Sequence, residues 1–399
     1  MKDRLNILFL TARYPYPVIG GDRLKPYKIL SYLGKKHNVW LVSFYQGSKI
    51  PSEYLDAISD LGVQVNIITL NPFLAGLNAI LKNSKLPLEI GYYHHKKFKN
   101  IVDNILNKNN INLGISFFMR TAEYLKSKPI KKILMAEDCR TLYQKRSYEN
   151  STKLYQKIIR LKEYKKLIKY EPEIVNYFDT TTLVTEEDII AMKKNNPLAD
   201  YSLLSNGTDI EKFIPNNKKN DEKIILFSGK LDVWANQLMS QKIIKELFPE
   251  IKKQVPEAKL IIVGANPPKH LLSQKTKDID IIANVPNMIE YLQKASLFLH
   301  PHNGGSGIQN KLLEAMSCGC PVVTTPTGNQ GINGINGQHL MIGKNTKELI
   351  EKSITILKNK DLADKISHHS RELIVKTHSW DVIYKQLDLI IEKVMKIKR

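Results

Sequence analysis

The stretch His300-Pro301-His302-Asn303-Gly304-Gly305-Ser306-Gly307-Ile308-Gln309-Asn310-Lys311-Leu312-Leu313-Glu314-Ala315-Met316-Ser317-Cys318-Gly319-Cys320-Pro321-Val322-Val323 decides how this chain is read. It leaves an apolar strand, places three glycines in four residues, and enters a helix bearing Leu312, Leu313 and Met316. The first amides of a helix have no intrahelical acceptor, so such a turn presents N–H groups to a phosphate or a sugar hydroxyl. Glu314, in the first turns of that helix, can accept two hydroxyl hydrogen bonds at once, as a ribose diol requires. A glycine-rich loop alone is a weak signal, so its surroundings carry the weight.

Working outward, short apolar runs at 224–227, 259–263, 279–282, 297–300 and 322–325 alternate with helical patterns. An earlier series at 7–10, 39–44, 65–70, 113–117, 133–136 and 181–185 does the same. Alternation with spacers long enough for crossover helices predicts parallel sheets covered by helices. The turn-rich Ser205-Asn206-Gly207-Thr208-Asp209 divides the series. Two Rossmann-like domains follow, at 1–205 and 206–380. A C-terminal helix over 381–399, striped by Ile383, Leu387, Ile390, Ile391 and Val394, is expected to pack back on the first domain. Ligands of open parallel sheets bind at the carboxyl ends of the strands, so two facing sheets imply a deep cleft between them.

At 399 residues, 42% apolar and 25% charged, the composition is that of a globular chain of two domains. The apolar run Asn6-Ile7-Leu8-Phe9-Leu10 is too short for a signal peptide, and no run reaches the roughly 18 to 20 apolar residues of a membrane span. The expected location is the cytoplasm, with peripheral attachment to the inner face of the cell membrane as its extension. Cys139, Cys318 and Cys320 are too few and badly spaced for a disulfide framework or a zinc site. The net charge of +21 calls for an anionic partner or reflects a lysine-rich composition.

The whole 300–323 string resembles the donor-binding segment of retaining glycosyltransferase family 4 (group 1), in particular its exopolysaccharide and surface-glycan subgroup with Gly-x-x-Asn-Lys-x-x-Glu-Ala-Met. The resemblance covers most of residues 170–345 and implies the GT-B fold. It further implies transfer, with retention, of a hexosyl or related sugar from a nucleotide-diphosphate sugar to a cell-surface glycan or lipid-linked acceptor. Glu314 matches the family's ribose-binding glutamate. Eight residues earlier, where the family has a glutamate that reaches the donor sugar, stands Ser306; Asn310 or Lys311 is a candidate to build the sugar pocket instead.

Other stretches match in the same way. Ser228-Gly229-Lys230-Leu231-Asp232 stands where relatives place a turn near the diphosphate. Trp234-Ala235-Asn236 lacks their second basic residue, which makes Lys311 the candidate substitute, because a departing diphosphate needs positive charge. Gly264 and Asn284-Val285-Pro286-Asn287 resemble the turns flanking the nucleobase. Gly20-Gly21-Asp22 resembles a loop that brings amides near the donor phosphate, or is a plain tight turn. In the run Ala136-Glu137-Asp138-Cys139-Arg140 the family's histidine is absent; Asp138 or Glu137 is a candidate for the reaction centre and Arg140 for orienting it or contacting a phosphate, with helix capping by Asp138 the plain alternative. The candidate catalytic set is Asp138, Arg140, Lys230 and Lys311. The candidate donor-binding set is Gly20, Gly21, Gly229, Lys230, Gly264, Val285, Gly304, Ser306, Gly307, Ile308, Gln309, Asn310, Lys311, Leu312 and Glu314.

No cofactor and no metal are expected: Asp278-Ile279-Asp280 has metal-binding spacing but reads better as the solvent-side start of a strand. His94-His95 reads as surface, with an acceptor role as the alternative. The lysine-rich 153–169 segment, with Leu154, Ile158 and Leu161 at helical spacing, suits an anionic membrane surface or, slightly better, a core-packed helix with a solvated face. The apolar 73–82 segment is a second membrane candidate. A GT-B epimerase, a non-catalytic homologue and a nucleic-acid binder are the competing readings. Nucleic acid is not expected as a partner, because the basic residues lack an aromatic stacking platform.

Overall fold

Asn6–Thr11 (β1) is apolar along almost its whole length and buried on both faces, the signature of a central parallel strand. The computed structural model describes residues 4–18, 20–81, 83, 85–149, 151, 153–216, 222–302, 304 and 307–397. Around β1 the first unit arranges Asn38–Tyr45 (β2), Val63–Thr69 (β3), Leu113–Phe117 (β4), Lys131–Glu137 (β5), Thr180–Leu183 (β6) and Tyr201–Leu203 (β7). All pair in parallel in the order β3-β2-β1-β4-β5-β6-β7. The second unit arranges Ile224–Ser228 (β8), Lys259–Gly264 (β9), Ile279–Ala283 (β10), Leu297–His300 (β11), Val322–Thr324 (β12) and Met341–Ile342 (β13) in the parallel order β10-β9-β8-β11-β12-β13.

Two short strands, β7 and β13, were not expected from the sequence, because two or three residues at a sheet edge show no periodicity. The expected strand at 181–185 ends instead at Leu183; Thr185 accepts the Asp188 N–H and caps the helix Glu186–Asn195.

The first unit comprises Met1–Ser205, Gly305–Gly307 and Ile383–Arg399, and the second Asn206–Gly304 and Ile308–Val382. In the first, Ile383, Leu387, Ile391 and Val394 of the helix Trp380–Lys396 are buried. The Tyr384 ring stacks on Tyr32 at 4.2 Å, and Lys393 pairs with Asp200. The lysine-rich helix is Leu154–Ile174, and core packing holds only for its second half: Leu167, Tyr170 and Ile174 are buried, whereas Leu154 and Ile158 are exposed.

Inside the first unit Lys25 is buried with its Nζ 2.8 Å from Glu137 Oε1 and 2.8 Å from the Leu204 carbonyl oxygen. Burial pulls the ammonium's pKa down and the carboxyl's up, and their mutual attraction opposes both. Removing one partner strands the other charge. Lys25→Met is therefore expected to cost about 3–5 kcal/mol, and Glu137→Gln added to it to recover part of the loss. Urea unfolding followed by tryptophan fluorescence reads both; equal stability of Lys25→Met and wild type would refute the account.

Candidate functional site

The strand order of the second sheet reverses direction between β8 and β11, and a crevice at the carboxyl ends beside that point is the usual ligand site of such sheets. Most of the second-unit residues singled out in the sequence leave the sheet there. Gly229 and Lys230 follow β8, Gly264 ends β9, Val285 follows β10, and Gly304 and Ile308 lie after β11, ahead of the helix Asn310–Ser317. Ser306 lies outside the described residues. Gly307 has φ +75°, a conformation that favours glycine, and its N–H donates to Asp188 within the first unit.

The turns after β8 and β9 are pressed together. A Cβ at Gly264 would fall 1.8 Å from the Gly229 carbonyl oxygen, and one at Gly229 would fall 2.9 Å from Asn236 and 3.0 Å from Lys311 Nζ. Gly229 N–H donates to Val263 O and Leu231 N–H to Ala265 O, which carries the β8–β9 pairing into the turn. Asn266 and Asn284, at the ends of β9 and β10, both have φ +52°, and the Asn284 side chain accepts the Asn266 N–H. Asparagine is among the few residues that enter this region readily, so a lone Asn just past a strand was the available signal for Asn266.

Lys311 and Glu314 stand three residues apart and share one face of their helix, whose other face buries Leu312, Leu313 and Met316. Lys311 Nζ donates to Asn236 Oδ1 at 2.7 Å and lies 5.3 Å from the centre of the Phe227 ring. Asn236 in turn donates to the Lys230 carbonyl oxygen at 2.9 Å. The sequence shows only that position 236 lacks a basic residue; the structure shows that Asn236 holds the lysine. Burial lowers the Lys311 pKa to about 8, with Glu314 opposing the shift. Burial also raises the Glu314 carboxyl to about 7 against the pull of Lys311 and Lys212. No described residue donates a hydrogen bond to that carboxylate. Asn310 accepts from the Asn206 side chain, Gln309 occupies the N-cap position without a side-chain cap, and Ile308 and Leu312 are buried.

His300, unassigned in the sequence, is fully buried and stacked between Phe227 and His302. Its Nδ1 faces Thr324 Oγ1 at 3.2 Å, and burial pushes its pKa down, which favours the neutral ring. Lys230 is more than half exposed and lies 3.5 Å from Asp232.

In the first unit Gly20 has φ +90° and precedes the helix Gly21–Lys36, whose Asp22 pairs with Arg13 at 2.7 Å. Arg140 is tied to Glu89 at 2.9 Å and to Asp138 at 3.3 Å, and Glu89 also takes Arg120 at 3.1 Å. Of the alternatives open for Asp138, the capping of the helix Arg140–Glu149 falls to Glu171, which accepts the N–H groups of Arg140 and Thr141. Glu137 has φ +71° and pairs with Lys25. His95 N–H donates to Tyr124 Oη. Asp278 and Asp280 pair with Lys252 and Lys275, and among the described residues no group of three His, Cys, Asp or Glu side chains is placed to hold a metal ion.

The two parallel-sheet Rossmann-like units define an α/β fold that solved structures share. HepE of Anabaena, solved in complex with UDP and glucose, superposes with a TM-score of 0.68 at 13% identity over 98% of this chain and 100% of its own, which makes the fold GT-B. Residues 222–359, which lie in the second unit, match the family of glycosyl transferases group 1. A protein named for teichuronic acid biosynthesis, the glycosyltransferase TuaC of Bacillus subtilis, is 29% identical over 165 residues, 39% of this chain and 41% of its own length. An uncharacterized 44.6 kDa protein of the Klebsiella pneumoniae cps region is 24% identical over 90% of this chain and 93% of its own.

The closeness at Gly264 leaves no room for a methyl group. Gly264→Ala is expected to destabilise the second unit by roughly 1–3 kcal/mol, since the obstructing atom is backbone and must shift. A melting temperature unchanged from wild type would show that the turn has slack.

Proposed function

We propose that the protein is a retaining glycosyltransferase that moves a hexosyl or related sugar from a nucleotide-diphosphate sugar to a cell-surface glycan or lipid-linked acceptor in the cytoplasm, without a metal. The observation that carries the reading is the pair at the switch point: a half-buried carboxylate, Glu314, to which no described residue donates, one helical turn from a lysine whose charge is poorly solvated. A nucleoside diphosphate supplies what both lack. Its ribose hydroxyls donate to Glu314, and its phosphates neutralise Lys311 and accept from the first amides of the Asn310–Ser317 helix. As the bond from sugar to diphosphate breaks, negative charge grows on the leaving group, and Lys311, with Lys230 at the turn after β8, stabilises it. Asp138 and Arg140 are proposed as further catalytic residues.

The relatives support the same class. The Anabaena neighbour is solved with UDP and glucose, which makes a UDP-sugar the first donor to assay. The names of the Bacillus and Klebsiella relatives, in teichuronic acid biosynthesis and a cps region, favour a surface polysaccharide as product. A lipid-linked acceptor would bring the enzyme to the inner face of the membrane.

Two outcomes test this. Glu314→Ala is expected to weaken donor binding by roughly 5- to 150-fold, the equivalent of about 1–3 kcal/mol, when donor-dependent release of the nucleotide is followed. In wild type the competent form needs Glu314 ionised, above about 7, and Lys311 protonated, below about 8. The profile of kcat/KM should therefore rise through pH 7 and fall through pH 8. Glu314→Gln should lose the acid limb, and Lys311→Arg, which stays charged, the alkaline one. Persistence of both limbs in both variants would remove these residues from the donor site.

A further inference from the structure

Two helices of the first unit turn their large apolar side chains outward. In Pro72–Leu81 the buried residues are Ala75 and Ala79, whereas Phe73 and Leu81 are each 73% exposed and Leu74, Leu77 and Ile80 are exposed with them. This inverts the pattern by which a surface helix buries its large apolar face. At the start of Leu154–Ile174, Leu154 is 74% exposed and Tyr155, Ile158 and Ile159 are exposed as well.

Both segments lie at the same end of the first sheet. Pro72–Leu81 follows directly on the carboxyl end of β3, and Leu154–Ile174 runs back toward the amino end of β6, which leaves its first turns beyond the carboxyl edge. The residues between them tie the two helices together. Glu163 accepts the Leu88 N–H at 2.8 Å and Lys166 donates to the Leu86 carbonyl oxygen. A Cβ at Gly91 would lie 3.3 Å from the Ala79 Cα. Leu154 stands nine residues before Glu163, about 13 Å further along its helix. Beside Pro72–Leu81 opens a cavity of about 520 Å³, lined in part by Leu70, Leu74, Leu77, Leu81 and His94, so even the inner side of that helix is not sealed by the core.

The charge around these side chains has one sign. Residues 153–169 carry seven lysines and arginines and a single acid, Glu163, which is buried and engaged by Leu88. A symmetric second copy covering the same leucines would bring two such helices together, against their repulsion. An anionic lipid surface satisfies both features at once. Apolar side chains enter the boundary between headgroups and acyl chains while lysines stay among the headgroups. No helix among the described residues is long and apolar enough to cross a membrane, which leaves binding in the interfacial plane.

We propose that the end of the first unit formed by Pro72–Leu81 and the first turns of Leu154–Ile174 is a docking face for an anionic phospholipid bilayer. It rests on the membrane-borne acceptor proposed above only for its purpose, and vesicle binding is measured without donor or acceptor, so the two readings fail separately. The full chain is sedimented with vesicles of phosphatidylcholine alone or with about 30% phosphatidylglycerol. Binding to the anionic vesicles is expected to be at least roughly tenfold tighter than to the neutral ones and to weaken with salt. The pairs Phe73→Asp with Leu77→Asp and Leu154→Asp with Ile158→Asp are each expected to reduce it roughly tenfold or more, because an inserted side chain becomes charged. Their melting temperatures, and the shift that UDP produces in them, should match wild type. The proposal is overturned if wild type stays in the supernatant, if neutral vesicles bind equally, or if the variants bind as wild type does. It is also overturned if sedimentation velocity shows a wild-type dimer that the same substitutions dissolve.

Discussion

The carbonyl oxygen of Gly229 occupies the place where any residue but glycine at 264 would carry its Cβ. That contact lets the turns after β8 and β9 close on each other, and the site's polar geometry descends from it. With the turns closed, Leu231 N–H reaches Ala265 O and Lys230 is held in a fixed turn whose carbonyl takes the Asn236 amide. The other end of that amide takes Lys311 from the helix after β11. A missing side chain on one strand thus fixes a cation on an element that follows another.

The two units place their buried charges differently. In the first, Lys25 pairs with Glu137, and Arg140 and Arg120 pair with Glu89. Such pairs are locked, because removing either member strands the other. In the second, among the described residues Lys311 meets a neutral amide and an aromatic face and no residue donates a hydrogen bond to Glu314; burial has moved the pKa of each toward its neutral form against their mutual attraction. A charge that burial disfavours and the protein leaves unmatched is poised for a ligand of opposite polarity. Diphosphate and diol are such a pair, at the spacing of one helical turn.

What the sequence disclosed follows the range of the interactions involved. Parallel strands buried on both faces read as apolar runs, so β1, β4, β8 and β11 are visible from composition alone, as is the glycine-rich entry to Glu314. The edge strands β7 and β13 are too short to show a period. Asn236 is silent in sequence because its meaning depends on Lys311, 75 residues away. The partners of Arg140 are hidden for the same reason: Glu89 lies 51 residues before it, and Glu171 caps its helix from 31 residues beyond. The switch point itself is a property of strand order, which no local pattern encodes.

Net charge has two separable sources in this chain. A lysine-rich composition raises the total to +21 and spreads cations over every solvated face, and by itself it identifies no partner. It has no bearing on where leucine and phenylalanine go. Isolated exposed apolar residues are ordinary in folded proteins, but a helix that buries two alanines and exposes Phe73, Leu74, Leu77, Ile80 and Leu81 pays a hydration cost that packing could have avoided. The arrangement of the apolar side chains, which composition does not dictate, therefore distinguishes the lysines of residues 153–169 from the rest.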